Sequence, residues 1–278
     1  MKFNFSVLII TFNEMLNLPN CLESIKECDD IVVLDSFSKD ETEKIAKKFG
    51  ARFYQRRFDN YASQRNYGLR QIQYKNFWLL MLDADEVIPK GLSNEINETI
   101  NSKNDDICLY FMRRKDFFLG KWIKHSSGYP SWFGRLMRIG AVEVRRTINE
   151  EYYTEGKVRY LKNHLLHYPF NNGFQRWVEK HNQYSQMEAE LIVSGKVKKI
   201  GWKNVLSNNP VARRKAIKSI FYRSPGRPFF IFCVLYILRG GFLDGRAGLI
   251  FCLLKAFYEF LIDCKVLEIK FRMNGKKI

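Results

Sequence analysis

In the stretch LLMLDADEVIP, residues 79–89, an apolar run ends in Asp83, Asp85 and Glu86. Carboxylates this close repel one another unless water or a cation lies beside them. Side chains two apart along a strand point the same way, so Asp83 and Asp85 can aim at one point. Two carboxylates converging from a strand end make a partial oxygen cage for Mg²⁺ or Mn²⁺. Such an ion keeps positions open for water and substrate phosphates. The plainer reading of the cluster is a solvated acidic turn.

The elements around it must do the positioning. FSVLIITF, DIVVLD and FWLLML are continuous apolar runs, as expected of strands buried on both faces, and ARFYQ reads as a short strand. Between them, Leu18, Leu22 and Ile25 repeat at helical spacing, with Asn17 as cap and Pro19 in the first turn. Ser38 and Glu41 fit a capping box, Ile45 and Phe49 one helix face, and Gly50 its stop. Residues 61–73 predict a further helix. This alternation predicts an α/β fold on a mainly parallel sheet, in which ligands bind beyond the carboxyl ends of the strands. The residues at those ends are Thr11, Phe12, Asn13 and Glu14, then Asp35 and Ser36, then Asp83, Ala84, Asp85 and Glu86. Each end carries an acid, which core sterics do not require. Asp35 can accept hydrogen bonds from a base or a sugar hydroxyl, or it can cap the helix that follows.

From about 105 to 168 the pattern changes to strands of a mixed sheet: ICLYFMRR, WFGRLMR, VEVR and VRYLKNHLLHY. The glycine-containing loop HSSGYPSWFG lies between two of them, and its Trp132 can stack on a sugar or fill core. Residues 173–194 predict one long helix, on whose apolar stripe His181 reads as a packed histidine.

The chain of 278 residues suffices for one substantial core and an appended segment. Its net charge of +17 sits almost wholly at the end: residues 196–278 hold 18 Lys/Arg and 4 Asp/Glu. The boundary is therefore placed between a catalytic domain, 1–195, and a basic segment, 196–278. The six cysteines show no ligand-like spacing, which argues against zinc and for a reducing, cytosolic setting. The N-terminal run reads as a first strand and not as a signal peptide. In the tail, FFIFCVLYIL is too short to span a bilayer, and AGLIFCLLKAFYEFLI is interrupted by Lys255 and Glu259. Glycines at 240, 241, 245 and 248 separate the two. They read as helices lying on the inner face of the cytoplasmic membrane. The cations Arg213, Arg214, Lys215, Lys218, Arg223, Arg227, Lys270, Arg272, Lys276 and Lys277 would meet anionic lipid. The alternative is a helical subdomain packed on the catalytic core.

Taken together, SVLIITFNEMLNLPNCLESI, IVVLDSFSKDETEKIAKKFGA, YASQRNYGL and WLLMLDADEVIP resemble the family 2 glycosyltransferases, which have the GT-A fold. The likeness is strong over residues 4–100 and continues more loosely through INEEYYTEG and LLHY. The tail is similar to that of a bacterial subgroup that builds the lipopolysaccharide or lipooligosaccharide core with β-linked glucose. The resemblance implies that Thr11, Phe12, Asn13 and Glu14 border a nucleotide, that Asp35 holds its uracil or ribose, and that Arg65 reaches the diphosphate or sugar. It implies that Asp83, Ala84 and Asp85 flank the metal-diphosphate of a UDP-sugar, with His167 completing the coordination. Glu150 matches the acid of a His-Glu pair and is the implied base, although Asn149 stands where the subgroup has His. Its plainer role is a surface acid paired with Arg145 or Arg146. A metal stabilises charge on the departing diphosphate while one base on the opposite face deprotonates the attacking hydroxyl, which inverts the anomeric centre.

Two other readings use the same residues. LLMLDADEV also resembles the nucleophile strand of haloacid-dehalogenase-type phosphatases, with Asp83 attacking phosphate. That family needs a later strand ending in paired acids, and here the acids of NDDICLYF precede their strand. The positive charge would also suit a nucleic-acid-binding protein, but it lies beside apolar helices and not along a groove-reading element. The expected partners are therefore a UDP-sugar, a saccharide or lipid-linked saccharide acceptor and the membrane surface, with no nucleic acid.

Overall fold

The computed structural model describes residues 3–102, 106–145, 151–195 and 226–277. They form two compact units, one drawn from Met1–Trp122 and Tyr129–Gly173, the other from Ile123–Gly128 and Phe174–Ile278.

The first unit is built on a mixed sheet. Its opening strands β1 (Ser6–Thr11), β2 (Ile31–Asp35), β3 (Arg52–Gln55) and β4 (Trp78–Asp83) alternate with helices α1 (Leu18–Ser24), α2 (Thr42–Lys48) and α3 (Tyr61–Gln71). The short β5 (Glu86–Val87) and helix α4 (Lys90–Asn101) follow, then β6 (Ile107–Phe118), β7 (Lys121–Trp122) and β8 (Ser131–Arg138). A small ribbon of β9 (Glu143–Arg145) and β10 (Glu151–Tyr153) precedes β11 (Lys157–His167). The spatial order is β3-β2-β1-β4-β8-β6-β11-β5. Strand β1 pairs in parallel with β2 and β4, so Thr11 lies opposite Asp35, and Ile10 opposite Asp83, at one edge. Strand β8 runs antiparallel between β4 and β6, which turns β6 back into the direction of β4. Strand β11 pairs in parallel with β6 and sets His167 opposite Asp116; β5 sets Glu86 opposite His167 on the other side. Register alone thus gathers residues far apart in sequence beside Asp83.

Both faces of the opening strands are covered, as the unbroken apolar runs require. Val7 and Ile9 join Leu18 and Leu22 of α1, Ala46 of α2 and Leu92 and Ile96 of α4 on one face. Leu8 points the other way and joins Ala62 and Leu69 of α3. Helix α3 comes so near that a Cβ on Gly68 would collide with the Leu8 side chain, which explains glycine inside a helix.

Two capping expectations are corrected. Helix α2 starts at Thr42, not at the Ser38–Glu41 box, and has no side-chain cap. The Ser38 hydroxyl is used elsewhere, donating to Asp35 and accepting from the Asn13 amide. Asn17 precedes α1, but its side chain does not cap it; it binds Glu14 and Asn171 instead.

The second unit holds α5 (Gly173–Val193), α6 (Arg227–Cys233, continued by a π turn to Leu238) and α7 (Gly245–Met273). The break between α6 and α7 uses left-handed Gly240 and a short 3-10 turn, whereas Gly248 lies inside α7, packed onto the Gly241 carbonyl. Asp244, at the start of α7, accepts from the backbone of His125 and Ser126 and from the Ser126 hydroxyl. His181 is packed as expected: it stacks 3.7 Å from Trp177 and bonds its carbonyl, and burial presses its pKa down to about 3. Arg227, expected at a lipid surface, is instead buried and bound to Glu259 at 2.7 Å. Arg213, Arg214, Lys215, Lys218 and Arg223 lie outside the described residues.

Candidate active site

The ends of β1 and β2 form a hydrogen-bonded floor. The Thr11 hydroxyl donates to Asp35 Oδ1 at 3.0 Å, and the Ser38 amide donates to its Oδ2 at 2.8 Å. Gln55 adds a longer contact of 3.4 Å to the same carboxylate. Asp35 is fully buried, and these donors occupy its oxygens. Asn13 takes a left-handed φ of 55°, which lets its Oδ1 accept from the Lys39 amide at 2.8 Å. Glu14 accepts from Asn17 and Asn172, at 2.8 and 2.9 Å. Phe12, next in the chain after Thr11, is exposed, and so is Phe37, held at a strained φ of 62°.

At the end of β4 the carboxylates do not share one environment. Asp83 is clamped: Arg65 Nη2 of α3 donates to its Oδ1 at 2.7 Å, and Arg135 Nη2 of β8 to its Oδ2 at 2.6 Å. Burial opposes its charge, but Arg135 and Arg65 hold its pKa well below the usual carboxylate range. Both oxygens being taken, Asp83 is not presented as an attacking nucleophile, so the phosphatase reading loses its central residue. Ala84, buried, donates its amide to the Ile10 carbonyl at 3.3 Å and holds the turn against β1.

From the same Arg135 nitrogen a second bond, 2.7 Å, reaches Glu86 Oε1. Glu86 is wholly buried; it also accepts from the Asp83 amide at 3.1 Å and lies 3.5 Å from Arg114. Arg114 Nε donates to Asp116 at 3.0 Å, and Asp116 in turn receives His167 Nδ1 at 2.7 Å. The other ring nitrogen of His167 approaches Asp85 Oδ2 at 3.3 Å. Cations and anions therefore alternate without a gap from Arg65 to Asp85. Burial and Arg114 press the His167 imidazolium toward neutrality, but Asp85 and Asp116 outweigh them and lift its pKa to about 9.

The structure therefore brings Arg65, Asp83, Ala84, Asp85 and His167 together beside the floor of Thr11, Phe12, Asn13, Glu14 and Asp35. Glu150 lies outside the described residues. Arg135, Arg114 and Asp116 were not singled out as site residues, and Glu86 was named only as part of the acidic strand end. A signal existed for Arg135: an arginine amid the apolar WFGRLMR run must find an anion or leave the core.

No group of three or more His, Cys, Asp or Glu side chains is gathered to hold a metal ion among the described residues. The donor chemistry fits a divalent ion on two protein ligands. Asp85 Oδ2 and His167 Nε2 face one another, and Asp116 anchors the far nitrogen of the ring, the outer-shell arrangement usual for a ligating histidine. Asp83 accepts one arginine bond at each of its oxygens in this arrangement.

A family model described as glycosyl transferase family 2 matches residues 6–181. The lipopolysaccharide core biosynthesis glycosyltransferase LpsC of Rhizobium meliloti is 27% identical over 96% of this chain and 93% of its own length. An uncharacterized glycosyltransferase of Rickettsia conorii is 27% identical over 95% of this chain and 89% of its own. Among solved structures, glucosyl-3-phosphoglycerate synthase from Mycobacterium tuberculosis, in complex with Mn²⁺, UDP and glucosyl-3-phosphoglycerate, aligns with 22% identity and a TM-score of 0.33. That alignment covers 42% of this chain and 45% of that one.

Proposed function

This chain belongs to glycosyl transferase family 2, and from that premise we propose that it is a metal-dependent, inverting hexosyltransferase acting on a lipopolysaccharide-core saccharide. The observation that carries the reading is the Asp85–His167–Asp116 constellation at the carboxyl end of the sheet, beside the floor of Thr11 and Asp35. Thr11, Phe12, Asn13 and Glu14 border the nucleotide, and Asp35 holds the floor rigid beneath the uridine. The donor is a UDP-hexose, with glucose suggested by the sequence resemblance; the Rhizobium meliloti relative, alike along nearly the whole chain, supports the acceptor class.

Asp85 and His167 hold a divalent cation, Mg²⁺ or Mn²⁺, which supplies charge neutralisation at the leaving diphosphate. Arg65 and Arg135 keep Asp83 ionised and fixed, so the strand end cannot swing into the diphosphate space. Glu150 takes the proton of the acceptor hydroxyl as its oxygen bonds to the anomeric carbon. The bond from that carbon to the diphosphate breaks, and its electron pair leaves on UDP. One displacement inverts the centre.

The test is UDP release from UDP-glucose and other UDP-hexoses, with and without Mn²⁺, in the presence of a core saccharide. No release from any of them removes the reading. Glu150→Gln is expected to keep donor affinity and slow transfer by roughly 10²–10⁴-fold, the usual worth of a general base. Transfer at full speed would place the base elsewhere.

The second unit supports a peripheral membrane position. No helix among the described residues is long and apolar enough to cross a membrane. Yet α7 exposes Leu249, Leu253, Phe257, Phe260, Leu267 and Phe271, spaced along one side. Its acids Glu259 and Asp263 turn to Arg227, while Lys270, Lys276 and Lys277 are exposed at its end. An apolar stripe edged by cations fits the inner, anionic leaflet. The full chain is expected to float with phosphatidylcholine vesicles containing phosphatidylglycerol. The variant Phe257→Ser/Phe260→Ser is expected to stay behind. Flotation unaffected by that variant would move the contact off α7, and a wild-type chain that never floats would remove it.

A further inference from the structure

Strands β6, β8 and β11 carry a patch that the donor chemistry does not use. Their register sets Arg113 opposite Trp132 and His164, and Phe111 opposite Gly134 and Tyr160, so these side chains share one face. The rings form a cluster: Trp132 meets Tyr160 edge-on at 4.9 Å, and Tyr160 stacks on Phe111 at 5.4 Å. Trp132 and Tyr160 remain 38% and 55% exposed, whereas apolar rings that only fill core would be covered.

The charges of the patch are one-sided. The Arg113 guanidinium lies 5.5 Å from the Trp132 ring centre, and its Nε is buried without a hydrogen bond. No ion pair reaches Arg113 or Lys115 among the described residues, unlike Arg65, Arg114 and Arg135 nearby. A part-buried guanidinium lacking its anion is costly unless a ligand supplies one. His164 is pressed toward neutrality by burial, Lys115 and Arg113, which leaves an imidazole suited to hydroxyl groups. The position fits as well. Trp132 lies on the strand that carries Arg135 to Asp83.

We propose that this face is the acceptor subsite, and that it takes a saccharide bearing an anionic substituent. Aromatic faces at Trp132 and Tyr160 stack on the apolar faces of sugar rings, and Arg113 binds the phosphate or carboxylate. This deepens the transferase reading and rests on it: that reading requires a sugar acceptor, and the patch specifies its charge.

Saturation-transfer NMR on the full chain tests it, with mannose 6-phosphate, glucuronate and methyl mannoside as probes, each with and without saturating UDP and Mn²⁺. Both anionic probes are expected to bind about tenfold more tightly than the neutral one, the worth of one charge-assisted hydrogen bond. The ratio of the phosphate and carboxylate arms identifies the anion. UDP is expected not to displace them. Arg113→Gln is expected to reduce the anionic probes to the neutral level, and Trp132→Ala to weaken all three. Displacement by UDP, or anionic binding unchanged in Arg113→Gln, overturns the subsite. UDP release by the wild-type chain, measured in parallel, separates the two claims. An active chain that binds no probe overturns the subsite alone, and a chain that binds probes but releases no UDP from any donor overturns the transferase reading.

Discussion

Asp85→Ala abolishes Mn²⁺-dependent UDP release: a fall of roughly 10²–10³-fold or more is expected, the scale set by losing one preorganised electrostatic stabiliser. The reason is positional. Asp85 faces His167 Nε2 at 3.3 Å, while Asp83 is held by two arginines. Removing Asp85 leaves His167 its contact with Asp116, and leaves the bonds of Arg65 and Arg135 to Asp83 and of Arg114 to Asp116 in place. The variant should therefore melt close to the wild type and bind Mn²⁺ far more weakly, as read by electron paramagnetic resonance. Undiminished Mn²⁺ affinity would take the ion away from this corner.

Arg135→Met is expected to act on stability first. Arg135 is buried and holds Asp83 and Glu86 with one nitrogen, at 2.6 and 2.7 Å. Its loss leaves wholly buried Glu86 with the Asp83 amide and a distant Arg114. Stranding a buried charge costs about 3–5 kcal/mol. For a chain of this size that lowers the melting temperature by roughly 10 °C. Because the cost comes from the orphaned acid, adding Glu86→Gln to Arg135→Met should restore part of it, a coupling that a double-mutant cycle measures. Additive losses would mean that Arg135 matters through packing alone.

Strand ends were readable because they are local. The runs through Thr11, Asp35 and Asp83 stop where the apolar pattern stops, and the sheet then dictates which residues meet. His167 became a site residue only through its resemblance to a late histidine, since nothing local distinguishes it from His164, three positions earlier. The difference lies in pairing: β11 sets His167 beside Asp116 and Glu86 but His164 beside Arg113. Arg114 and Asp116 were missed for the same reason, because a charged residue in a strand declares its purpose only once its neighbours are known. The capping signal at Ser38 misled because a hydroxyl that can cap a helix can equally tie two strand ends. Arg227 misled because its partners, Glu259 and Asp263, lie more than thirty residues onward, on α7.

The insertion of β8 between β4 and β6 has a consequence for the newborn chain. Ribosomes deliver Glu86 long before the guanidinium of Arg135 that shelters it. The opening strand-helix repeats can collapse early, but that corner must stay wet until some fifty more residues have emerged. Translation pausing over 87–134 would thus hold an acidic, half-closed intermediate, one that magnesium in the cell could shield while it waits.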